Sequence, residues 1–313
     1  MARSLVSGLA RLAPYGIAAV LSWGFSTSGI AETLNLLLYD ASTQLKPQPS
    51  GRETPIRLIG ISEADIQRYG WPINDQLLAE ALERLNQAGT RAIGLDLYRD
   101  RPVEPGHQDF KTAIQDNPRL IGIFSLADGV PPPPALPPSR QSFNDLVVDP
   151  DGSLRRDLVH VGGQPESHVA LPLRLLETSS GEPLRESIES QQWELSWLHP
   201  HAGGYSTVDA SGYQRMLPFH QPGSFPTWSL SDLLGNRINT SDLKDRIVLV
   251  GSTAPSLRDT FHTPFTRFHK GQQLAEMPGV EVHAHRLAAL LKAQQGSAAV
   301  SYTHLRAHET RIH

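Results

Sequence analysis

The run Ile247-Val248-Leu249-Val250, followed at once by Gly251-Ser252-Thr253, constrains this chain more than any other stretch. It does not alternate apolar with polar, so it has no solvent face, and it is too short for a buried helix. Such a run reads as the central strand of a parallel sheet, covered on both sides and emptying into a tight loop. After a polar, Pro-punctuated loop come Pro278-Gly279 and a helix whose Leu287, Leu290 and Leu291 share one face. A strand, a Gly-Ser-Thr turn and a closing helix need further α/β units to pack against.

Those units lie upstream. Ile56 to Ile61 is a second buried strand. Asp75 is expected to cap a helix with Leu77, Leu78, Ala81, Leu82 and Leu85 on its apolar face, and Gly89 to end it. Arg91 to Leu97 is the next strand, with Asp96 near its carboxyl end, so strand, helix and strand form a right-handed parallel unit. A helix over His107 to Asn117 and a strand over Leu120 to Phe124 follow. Pro131 to Pro138 is expected to be a rigid exposed loop. Leu154 to Val161 continues from an Asp-Pro-Asp-Gly turn, Leu171 to Leu176 is a buried helix, and Trp228, Leu230, Leu233 and Leu234 belong to a short one. Glu182 to Tyr213 has no clear pattern. The fold class predicted is α/β, a mostly parallel sheet flanked by helices and preceded by an N-terminal transmembrane helix.

That last expectation rests on Leu12 to Ala31, an uncharged run about as long as the ~20 residues that span a bilayer. Arg3 and Arg11 precede it and Glu32 and Asp40 follow it, which places the amino terminus in the cytoplasm and the remainder outside. Leu34, Leu37, Leu38 and Leu45 continue at helical spacing, favouring an uncleaved anchor over a signal peptide.

The chain has no cysteine, which excludes thiolate chemistry, a disulfide framework and a cysteine zinc site. A net charge of −4 in mixed signs gives no electrostatic basis for a nucleic-acid partner. No Walker loop, GxGxxG, Gly-x-Ser-x-Gly elbow or His-Glu-x-x-His occurs. In Asp149-Pro150-Asp151-Gly152 the later acidic ligands of a calcium loop are missing, so calcium is not expected. His283 and His285 are two apart on a helix and point apart, which argues against a shared metal.

In an open α/β sheet, ligands bind beyond the carboxyl ends of the strands. Ser62, Glu63, Asp96, Ser252 and Thr253 follow from three predicted strands that end there, and Asp259 and His283 lie on the loop and helix able to close over them. These seven are the candidate ligand-binding residues. The alternative for Asp96 and Asp259 is purely structural service to loop N–H groups. No catalytic residue, cofactor or metal is assigned.

Four stretches together resemble the type-two CHASE domain, the extracellular sensor of bacterial cyclases and histidine kinases, one of them the Phe225-Pro226 turn and short helix that lead into Leu243, Lys244, Arg246, Ile247 and Val248. Gly251, Thr253, Ala254, Asp259, Thr263, Pro264, Pro278, Gly279, Val280, Glu281, His283 and Ala284 fit the family's closing motif in order. Gly70, Trp71, Pro72, Ala88, Gly89, Ile93 and Asp96 are similar to its opening turn, helix and strand. The segment DPDGSLRRDLVHV resembles its acidic-Gly-Arg-Arg element. Ser62, Ile73 and Asn74 depart from the pattern, the first replacing an expected aspartate.

The resemblance implies a membrane-bound sensor that couples an unidentified small ligand to a cytoplasmic cyclase or kinase, with a homodimer left open. The competing function is an exported hydrolase acting at the acidic strand ends. Residues 1–45 are expected to be anchor and linking helix, 46–295 the extracytoplasmic sensor and 296–313 a truncated or foreign tail. Ser301 to Thr310 resembles a translated sequencing adapter, so its histidines are not read as ligands.

Overall fold

The computed structural model describes residues 29–45, 54–162, 168–184, 187–188, 195–202, 205, 208–266 and 276–309, together with Tyr15, Ala18, Ser22 and Gly24. The chain divides into two compact units, Met1–Lys46 with Leu198–Ala210, and Pro47–Trp197 with Ser211–His313. In the first unit, helix α1 (Gly29–Leu45) buries Ala31, Leu36, Asp40 and Thr43 and exposes Ile30, Leu34, Leu37, Leu38 and Leu45. Among the described residues no helix is long and apolar enough to cross a membrane. Most of the run Leu12 to Ala31, where the span is expected, lies outside the described residues.

The second unit is built on a six-stranded sheet. Its strands are β1 (Ile56–Ile61), β2 (Ala92–Asp96), β3 (Leu120–Phe124), β4 (Gln141–Phe143), β8 (Thr227–Ser229) and β9 (Ile247–Ser252). The order is β4-β3-β2-β9-β1-β8 and every pairing is parallel. The expected central strand is central. All six residues of β9 are buried.

Val248 and Val250 meet Ile59, Ile61, Ile93 and Leu95 under helices α3 (Asp75–Gln87) and α4 (His107–Asp116). Ile247 and Leu249 face the other way, into Ile56 and Leu58 and into α5 (Leu171–Ser180) and α8 (Gly279–Glu309). Burial on both faces is why these strands read as unbroken apolar runs.

Several expectations are corrected. β1 and β2 are parallel, but β9 lies between them, so the connection through α3 crosses over an inserted strand. Asn74 caps α3 by accepting from Leu77 N; Asp75 is instead buried inside the first turn, with its carboxylate 2.8 Å from His107 Nδ1. Trp228 sits in β8, an edge strand, and the short helices α6 (Leu230–Leu234) and α7 (Thr240–Leu243) come after it. The Pro-rich loop is only partly exposed. Its Pro133 and Leu136 are buried, and Leu136 lies over Gly122 of β3, where a Cβ would come within 2.8 Å of it.

A smaller antiparallel sheet, β5 (Arg156–Val161) with β6 (His168–Val169) and β7 (Tyr213–Met216), carries the Arg-rich element. Asp149 and Asp151 are engaged there by arginine. Arg155 bonds both aspartates at 2.8–3.0 Å, and Arg156 Nε donates to Asp149 at 2.8 Å.

Candidate functional site

The carboxyl edge of the sheet and the amino end of α8 meet at Asp96. Asp96 closes β2 and is paired across the ladder with Gly251 of β9. Gly251 must lack a side chain here: a Cβ would fall 2.8 Å from Val280 Cβ and 3.2 Å from Asp96 Cβ. The first turn of α8 is thereby pressed onto the strand ends. Asp259, from the loop after a 3-10 turn at Pro255–Leu257, packs its carboxylate on Gly279, where a Cβ would be 2.5 Å from Oδ1. Its carbonyl accepts from Gly279 N at 2.9 Å. Asp259 therefore lies on the first residue of the helix, while Asp96 lies beside Gly251 on the strand below its first turn.

Asp96 is buried, and its Oδ1 accepts from Asn144 Nδ2 at 3.2 Å. Tyr98 Oη in turn donates to Asn144 Oδ1 at 3.0 Å. Burial, and next the charge of Asp259, push the Asp96 carboxyl up to about 7, against the smaller opposing pull of Asn144 and Arg286. Burial also raises the Asp259 carboxyl.

His283, one turn into α8, has its Nε2 3.8 Å from Asp96 Oδ1, beyond hydrogen-bond reach. Arg286 Nη1 donates to His283 Nδ1 at 3.0 Å, which puts the single imidazole proton on Nε2, facing Asp96. Burial and then Arg286 hold His283 well below its ordinary pKa, so the ring is neutral.

Arg286 makes its hydrogen bonds to other groups. Its Nε donates to Asp157 Oδ1 at 2.6 Å and its Nη2 to Leu158 O at 2.7 Å, while Arg215 Nε donates to Asp157 Oδ2 at 3.1 Å. A buried ionic chain thus joins α8 to β5 and β7.

The remaining expected site residues have other duties. Ser62 caps helix α2 (Glu63–Tyr69), accepting from Asp65 N and donating to Asp65 Oδ2 at 2.7 Å. Asp65 Oδ1 also accepts from Ser231 N at 2.9 Å. Glu63 accepts from Ser256 N and Oγ at 2.8 and 3.0 Å, tying α2 to the turn before Asp259. Ser252 Oγ accepts from Ala254 N at 3.2 Å, and Thr253 N donates to Ile61 O at 3.0 Å. Asp96, Asp259 and His283 are brought together; Ser62, Glu63, Ser252 and Thr253 shape the loops around them.

Asn144, Tyr98, Arg286 and Asp157 complete the site and were not expected. Arg286 had a signal in its i+3 spacing from His283; Asn144 had none. As expected, His283 and His285 diverge. His285 sits among Phe219, His220 and Phe225 with its Nε2 3.9 Å from Glu281, and burial pushes it down to about 3, with the His220 charge adding. Glu281 accepts from Gly223 N at 2.5 Å. Among the described residues no group of three His, Asp or Glu is arranged to hold a metal ion. A groove of about 600 Å3 between α3 and α4, bordered by Glu80, Glu83, Asp109 and Asp116, includes none of the expected site residues.

A family model described as the CHASE2 domain covers residues 17–307. No curated protein matches the chain, and no solved structure does.

Proposed function

The chain belongs to the CHASE2 family, a family of extracellular sensor domains of signalling receptors, and from that premise we propose that it is the ligand-sensing part of a membrane-bound receptor. In this reading residues 1–45 anchor the receptor, residues 46–295 sense outside the cytoplasm, and a cyclase or kinase follows. Asp96, Asp259 and His283 face the ligand, while Ser62, Glu63, Ser252 and Thr253 hold the loops that frame it.

The observation that supports this most is the placement of Asp259 on Gly279, the first residue of α8, with Asp96 3.8 Å from His283 one turn further on. A helix that starts against a ligand site and runs toward the end of the chain is suited to carry a change at its amino terminus onward, because both states of the site act on its first turn. The exported-hydrolase reading has one point in its favour, the carboxyl of Asp96 poised near 7.

Export is tested by fusing alkaline phosphatase after Leu291. Phosphatase activity is expected, and a well-expressed but inactive fusion would refute the placement. Coding sequence downstream separates the two functions: membrane spans and a cyclase or kinase are expected, whereas a stop codon would favour the hydrolase.

A further inference from the structure

Helices α3 and α4 run side by side in the same direction and are fastened to each other at both ends. At the start, His107 Nδ1 lies 2.8 Å from Asp75 Oδ2, and Gln76 N donates to Pro105 O at 2.9 Å. At the finish, Arg119 Nη2 donates to Asn86 Oδ1 at 2.6 Å. The groove of about 600 Å3 between the two helices is therefore preformed. It follows α3 from Gln76 to Asn86, ~15 Å at the helical rise per residue. Its apolar lining is Ala79, Leu82 and Ala113.

Glu80 and Glu83 stand on one wall, Asp109 and Asp116 on the other, and no lysine or arginine lines the groove. Glu80 is paired with Arg84 at 2.6 Å, and Glu83 accepts from Gln87 Nε2 at 3.0 Å. Asp109 and Asp116 have no basic partner among the described residues. Asp116 also ends α4, where the helix dipole is negative and disfavours a carboxylate, so local helix stability does not account for it. Among the described residues no three acidic or histidine side chains are arranged to hold a metal ion. The positive charge that answers these carboxylates must then be spread along the groove.

A second observation is independent of charge. Asn117, 2% exposed, caps the end of α4 and lines the same groove. Its Oδ1 accepts from Arg119 N at 3.1 Å, which fixes the orientation of the amide. Its Nδ2 is buried and has no hydrogen-bond partner. A buried donor left unpaired is costly, and an oxygen on a ligand would satisfy it.

From this geometry we infer that the groove between α3 and α4 binds a linear cationic ligand that also carries a carbonyl oxygen, of the class of short lysine- or arginine-rich peptides. The cations meet the carboxylates of both walls, the aliphatic stems lie over Ala79, Leu82 and Ala113, and a carbonyl accepts from Asn117 Nδ2. Asp109 and Asp116 are ~10 Å apart along α4, and three residues of extended peptide cover the same ~10 Å. Helices α3 and α4 cover the face of the sheet opposite α8, so this site is separate from the one at Asp96 and does not rest on the reading given to it.

Calorimetric titration of the whole chain at low ionic strength with N-acetyl-trilysine amide tests the inference, with spermidine, of equal charge but without an oxygen, as the comparison. Saturable binding of the peptide is expected, weakening as salt is raised, with spermidine held less tightly. Asp116→Asn and Glu83→Gln should each weaken peptide binding about two- to fivefold, the scale of one exposed ion pair, without lowering the melting temperature. Asn117→Asp keeps the acceptor for Arg119 N and removes the donor, and should erase the preference for peptide over spermidine. The proposal is overturned by absence of saturable peptide binding, by an affinity untouched in both Asp116→Asn and Glu83→Gln, by spermidine binding the unmodified chain as tightly as the peptide, or by a preference that survives Asn117→Asp.

Discussion

Replacing Asp157 by asparagine should destabilise this protein more than any surface change, for reasons that can be followed atom by atom. Asp157 is 1% exposed and joins three elements: its Oδ1 accepts from Arg286 Nε of α8 at 2.6 Å and its Oδ2 from Arg215 Nε of β7 at 3.1 Å. Asparagine has the same shape, but it removes the charge and turns one acceptor into a donor aimed at a guanidinium. Arg286 is fully buried and Arg215 nearly so. Two buried cations would then lose their counter-ion, and breaking one partner of such a pair typically costs ~3–5 kcal/mol. Domains are stable by only ~5–15 kcal/mol, so a large fraction of the total is at stake.

Urea unfolding of the whole chain should show the midpoint shifted down by that free energy divided by the m-value, with the m-value unchanged. A triple replacement, Asp157→Leu with Arg215→Met and Arg286→Met, should recover most of the loss, since an apolar core of similar volume needs no counter-ion. An Asp157→Asn chain within ~0.5 kcal/mol of the parent, the range of neutral surface changes, would show that the network carries no such energy.

Two further outcomes bear on the fold and on the site. Leu249→Ala, at the centre of β9 and fully buried, should cost ~2–5 kcal/mol by loss of transfer energy and creation of a cavity; an unmoved melting temperature would show that β9 is not the core strand. Ser62→Ala should cost ~1 kcal/mol through loss of the α2 cap, read as a lowered melting temperature; an unmoved one would show that the cap does not hold α2.

Local sequence determined the elements because burial writes itself into periodicity. Ile247 to Val250 has no polar residue and Ile56 to Ile61 only Arg57, and a strand covered on both sides has no solvent face to fill, so both were legible as buried strands. The same holds for the α3 face and for the opposite orientations of His283 and His285, which helical geometry alone dictates. The motif positions around Gly251, Pro278 and Glu281, together with those of the first turn, helix and strands, pointed to the family.

Strand order was not legible, because every inner strand looks alike until its neighbours are known, and β9 enters between β1 and β2 from nearly two hundred residues away. Nor could spacing tell a cap from a ligand residue. Ser62 and Asp96 are both polar residues at strand ends, yet Ser62 finds its partner three residues on, whereas Asp96 depends on Asn144, 48 residues away, and on Asp259. Arg286 and Asp157 are 129 residues apart. The charge state of Asp96 is set by desolvation and by a like charge, and both exist only once the sheet edge, the loop and α8 have come together.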